Sequence, residues 1–218
     1  MDKRKLYDDL VSQLSPYNRG YAPDYERFSN QSMVTNIVPC SRIINTSISP
    51  NDSNNLNACD YILSLKEASD KAQELRSNQN EILSFELPTS DAVVMDVYKQ
   101  FTCKDEYRSL FLKFSKSLGV FAHITLGIID DAMVDEMETI DYLATNPPKG
   151  IIFSIFIPPY NYSISSLMPI ERAAAVFMYA HKKLPDCPMT LSKTHPDGNY
   201  GKELEILAFM HGVKNKEI

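Results

Sequence analysis

Apolar residues along the chain recur with two periods, one helical and one strand-like. Leu6, Leu10, Val11 and Leu14 stand at helical spacing ahead of Pro16, which predicts a short amphipathic helix over residues 3–14. From Ser29 to Asp60 the pattern dissolves into Asn, Ser and Thr with brief apolar pieces such as MVTNIV and RIINTSI, and an extended polar arm or paired edge strands is expected there. Helical spacing returns with Ile62, Leu65, Ala68, Ala72 and Leu75. A short strand is predicted from Glu81 to Leu87, followed by a helix capped by Ser90 that carries Val93, Val94, Val97 and Phe101 on one side. Tyr107, Leu110, Phe111, Phe114 and Leu118 then form a single stripe, predicting a helix over residues 104–118.

The second half alternates more regularly. VFAHITLGII predicts a buried strand over 120–129, and the acidic segment after it buries Met133, Met137, Ile140 and Ala144 until Pro147 and Pro148 close a helix. Gly150 opens IIFSIFI, too short for a membrane span and read as a central strand. Pro169 starts a helix reaching Lys183, and a Pro-rich loop leads to a last helix over 202–211. The expected fold is helix-rich α+β, with about six helices, a few short strands and an extended polar N-terminal arm. Residues 1–60 are read as the N-terminal helix and arm, and residues 61–218 as the core domain.

Composition narrows the function classes. The chain has 218 residues, a net charge of −6 and only seven glycines. No GxGxxG or GxxxxGK[ST] occurs, which excludes the usual glycine cradles for dinucleotides and phosphates. The first residues lack the apolar core of a signal peptide, so a soluble cytoplasmic protein without membrane attachment is expected. Cys40, Cys59, Cys103 and Cys187 are irregularly spaced and read as free thiols. Neither a metal site nor a cofactor is expected.

Three constellations carry chemistry. In Phe121-Ala122-His123-Ile124-Thr125-Leu126, alternation places His123 and Thr125 on one side of a strand, where both reach one phosphate. This is similar to half of the signature of two-histidine phosphoesterases, whose second His-x-Ser/Thr has no counterpart here. It supports an alternative reading as a small nucleotide or RNA phosphodiesterase with His123 and Thr125 as catalytic residues. The acids Asp130, Asp131, Asp135, Glu136, Glu138 and Asp141 are read as a solvated helix face, with a positive partner opposite that a neighbouring subunit supplies.

Lys104, Arg108, Lys113, Lys116, Arg172, Lys182, Lys183, Lys193 and Lys202 are the candidate nucleic-acid or anion-binding set. Gly198 to Lys202 resembles the GxxG loop of KH domains but reads as an ordinary helix start. The leading expectation is a non-enzymatic, self-assembling interaction protein. It takes the form of a homo-oligomeric viral nucleocapsid-like or virus-encoded subunit that binds RNA, an acidic partner or a host protein.

Overall fold

The computed structural model describes residues 5, 41–45, 60–62, 81–98, 101–116, 119–129, 133–157, 168–192, 195–196 and 198–214. The expected helix over 3–14 lies outside these apart from Lys5, which is helical. Most of the polar arm also lies outside them, as does the helix expected over residues 61–77 apart from Tyr61 and Ile62, which pair with Arg42 and Ser41 as strand and not helix, because β-sheet pairing overrides their helical spacing.

Seven strands form one sheet: β1 (Ser41–Asn45), β2 (Asp60–Ile62), β3 (Glu81–Glu86), β4 (Phe121–Leu126), β5 (Gly150–Ile155), β6 (Met189–Leu191) and β7 (Val213–Lys214). Their spatial order is β2-β1-β3-β4-β5-β6-β7. β1 is antiparallel to both β2 and β3, whereas β3 to β7 run parallel and lie side by side in chain order. The RIIN piece of the polar segment is therefore a strand of the sheet.

Four α-helices link the parallel strands: α1 (Lys104–Ser115), α2 (Met133–Thr145), α3 (Ile170–Lys183) and α4 (Gly198–Met210). The mixed helix-and-strand class is as expected, and in the parallel part the two alternate. β6 and β7 have no counterpart in the sequence pattern, because three residues between Pro188 and the following loop, and two after Gly212, carry no usable periodicity.

Parallel crossovers share one hand, so links between successive neighbours carry their helices to one face of the sheet. The burial pattern agrees. Phe85, Leu87, Ala122, Ile124, Leu126, Ile151, Phe153, Ile155, Met189 and Leu191 join the inward sides of the helices in one apolar core. α3 lies between α2 and α4. Its run Ala173-Ala174-Ala175 is fully buried and lets the helix approach closely, and Phe177 meets Phe153 at a ring separation of 5.2 Å. Each such fully buried aromatic contributes about 1.5–3 kcal/mol through the surface it removes from water.

The segment after β3 departs from the expected α-helix. Ser90 does accept a hydrogen bond from Val93 N–H at 3.3 Å, and Val93 and Val94 are buried. Val93–Val97, however, is a π-helical turn, closed by Tyr98 N–H on Val93 O at 2.9 Å. The wider turn ends before Phe101, which is fully exposed rather than part of an inward stripe.

No helix among the described residues is long and apolar enough to cross a membrane.

Candidate active site

Strands of a parallel sheet are ordinarily apolar on both faces. Here the face away from the helices carries Ser84 and Glu86 on β3, His123 and Thr125 on β4, Ser154 on β5 and Thr190 on β6. All but Thr125 are buried. Phe121 and Ile152 form a small separate apolar cluster on the same face. Burying so many polar groups is unfavourable unless they satisfy one another.

Register brings them together. Glu86 stands opposite His123, and Thr125 opposite Ser154. His123 Nε2 lies 2.6 Å from Ser154 Oγ, and on the other side of the ring Nδ1 lies 3.2 Å from Glu86 Oε2. The second contact is at ion-pair distance. Glu86 Oε1 accepts hydrogen bonds from Thr125 Oγ1 at 2.9 Å and from the Tyr98 hydroxyl at 3.1 Å. The neighbouring Tyr107 phenol is pushed up to about 12, chiefly by burial and further by the charge of Glu86.

A carboxylate facing Nδ1 favours the tautomer protonated there, leaving the Nε2 lone pair to accept the Ser154 O–H. The order hydroxyl, imidazole, carboxylate is that of an activated nucleophile, its base and the group orienting the base. His123 and Thr125 do share a side of β4, as expected, but both converge on the Glu86 carboxylate. Among the described residues, no contact of the other three histidines reaches this group. His195 Nε2 is 3.5 Å from Glu205, and His211 lies near His181, with its pKa lowered by burial and then by that ring.

The acidic helix differs from its expected solvated face at Glu136, which is 1% exposed. Glu136 shares the inner side of α2 with Met137 and Ile140, a position its like-charged neighbours obscure in the sequence. Its Oε1 accepts the Gly127 N–H at 2.9 Å and lies 3.6 Å from Arg172 Nη2, which also donates to Ile129 O at 3.2 Å. Gly127 ends β4 with φ +78°, and a Cβ there would come within 2.7 Å of Met168 Cβ, so glycine is required. Burial pushes the Glu136 carboxyl up to about 7 against the opposing pull of Arg172.

Three acids of this helix have positive partners within the chain. Lys104 is 3.7 Å from Glu138, Lys183 is 2.8 Å from Asp141, and Arg172 faces Glu136. Arg108 pairs with Asp105 at 3.7 Å and stacks over the Tyr142 ring. Within the candidate basic set, Lys113, Lys116, Lys182, Lys183 and Lys202 are exposed, Lys104 and Arg108 are half-buried, and Arg172 is buried. Lys193 lies outside the described residues. The set is thus split among a core pair, three surface pairs and dispersed lysines.

No group of three or more metal-binding side chains occurs among the described residues. Cys103 and Cys187 are free and half-buried, and burial pushes the Cys187 thiol up to about 11, which makes it a poor nucleophile.

Comparison with known proteins returns no matching family model, no matching curated protein and no matching solved structure.

Proposed function

We propose that this chain is a hydrolase or acyl transferase whose nucleophile is Ser154. The 2.6 Å contact between Ser154 Oγ and His123 Nε2, backed by Glu86, carries the reading. Ser154 Oγ attacks the carbonyl carbon of an ester or amide while its proton passes to His123 Nε2. Glu86 stabilises the imidazolium. His123 then returns the proton to the departing alcohol or amine as the acyl–leaving-group bond breaks. Water or a second acceptor, deprotonated in the same way, releases the acyl group from Ser154.

The geometry favours this over phosphodiester hydrolysis at His123 and Thr125. The space between those two side chains is taken by the Glu86 carboxylate, whose charge opposes a phosphate.

Mass spectrometry after exposure to a small fluorophosphonate tests the proposal. The expected result is one adduct on Ser154, absent in Ser154→Ala and slowed about 10³-fold or more in His123→Ala. A folded wild-type protein that takes up no label at Ser154 refutes it.

Self-assembly is a second reading, favoured by a separate observation. The outward side of α4 exposes Ile206, Phe209 and Met210, beside the sheet edge formed by β7. A second copy related by a two-fold axis would cover the helix stripe and the strand edge together. Sedimentation over a concentration series should then show association that Phe209→Glu weakens; a monomer at all concentrations rejects it. RNA or acidic-partner binding has less support, because several of the basic residues are paired within the chain.

A further inference from the structure

We infer that Tyr98 is a positioning residue of the Glu86–His123–Ser154 array, acting through the carboxylate of Glu86; the inference rests on the acyl-transfer reading above. Tyr98 sits where the π-helical turn closes, and its N–H on Val93 O fixes the backbone from which the ring departs. Single π-helical turns cost helical regularity and recur at functional sites, where they aim a side chain that an α-helical turn would direct elsewhere. Here the ring is 5% exposed and packs 6.2 Å from the Tyr107 ring, leaving little freedom to rotate.

Its hydroxyl reaches Glu86 Oε1 at 3.1 Å. A carboxylate is rigid, so pinning Oε1 fixes Oε2, the oxygen facing His123 Nδ1. Thr125 donates to the same Oε1 from within the sheet, whereas Tyr98 donates from the segment after β3. Two donors from different elements define the plane of the carboxylate better than either alone. They also withdraw charge from Glu86, and so limit how strongly it stabilises the imidazolium of His123.

The pH profile separates positioning from mere packing. Without the Tyr98 hydroxyl, Glu86 keeps more of its charge for the imidazolium of His123, which moves the acid limb of the reaction upward.

For Tyr98→Phe, the acid limb of the fluorophosphonate inactivation rate is expected to rise by about half a pH unit or more, the scale of one lost hydrogen bond. 3,5-Difluorotyrosine at position 98 preserves the ring in a better donor and should move the limb down, so the sign reversal does not depend on the phenylalanine variant folding well. An unchanged limb in both, with Ser154→Ala still abolishing labelling, overturns the role of Tyr98 and leaves the nucleophile standing. Labelling that survives Ser154→Ala overturns both.

Discussion

Two carboxylates are buried almost equally, Glu86 at 2% exposure and Glu136 at 1%, yet their surroundings differ in kind. Glu86 lies on the sheet, with a threonine and a tyrosine hydroxyl on one oxygen and a histidine facing the other. Glu136 lies on a helix, with its Oε1 against one backbone N–H and an arginine at 3.6 Å. The first arrangement holds a carboxylate in a chosen orientation beside a proton carrier. The second balances a buried charge incompletely, and the balance shows as a carboxyl pushed up to about 7. Burial alone therefore does not mark a working group. What surrounds the carboxylate, and what the next side chain can do with a proton, distinguish the two.

Substitutions that remove one charge at a time sharpen the contrast. The largest effect is expected for Glu86→Gln, which preserves shape but not charge and should slow labelling of Ser154 by about 10³- to 10⁴-fold at an intact fold. The rate of adduct formation, with circular dichroism as the control, measures this. Equal losses of fold and rate would place Glu86 with Glu136 as a structural group.

Next comes Arg172→Met, which strands Glu136 and should cost about 3–5 kcal/mol in urea unfolding at pH 8. The cost should be smaller at pH 6, where Glu136 is mostly protonated.

Glu136→Gln follows, read through its pH dependence. A carboxyl whose folded pKa lies above its unfolded value favours the folded state fully below the unfolded value, near 4.5, and that contribution is lost as the pH climbs through about 7. The wild-type stability curve should thus lose up to about 3 kcal/mol from this group across that window, and Glu136→Gln should remove the loss. Parallel curves for the two proteins would contradict the assignment. Smallest is Lys104→Ala at the half-buried pair with Glu138, 3.7 Å apart, expected to change unfolding free energy by less than about 1 kcal/mol.

What is local is legible in the sequence. The runs around β4 and β5, the stripes of α1 to α3 and the Ser90 hydrogen bond at its helical turn were all visible in spacing. So was the shared face of His123 and Thr125. Glu86 and Ser154 were not, because each is an ordinary polar residue on its own strand and becomes notable only through register with β4. Glu136 was masked by the acids around it, since a buried acid cannot be told from solvated ones when six like charges share a short segment. The π-helical turn misled for a physical reason as well: Val93, Val94 and Val97 fit an α-helical face, and the extra residue per turn becomes apparent only when Phe101 fails to return to it.

The side-by-side order of β3 to β7 has a consequence for biosynthesis. Each strand leaving the ribosome meets a hydrogen-bonding edge that has already been made, so the sheet can grow in the direction of translation with no strand waiting for a distant mate. Protease protection of stalled nascent chains should therefore arrive strand by strand, and Glu86, His123 and Ser154 should be gathered once β5 docks, before α3 exists.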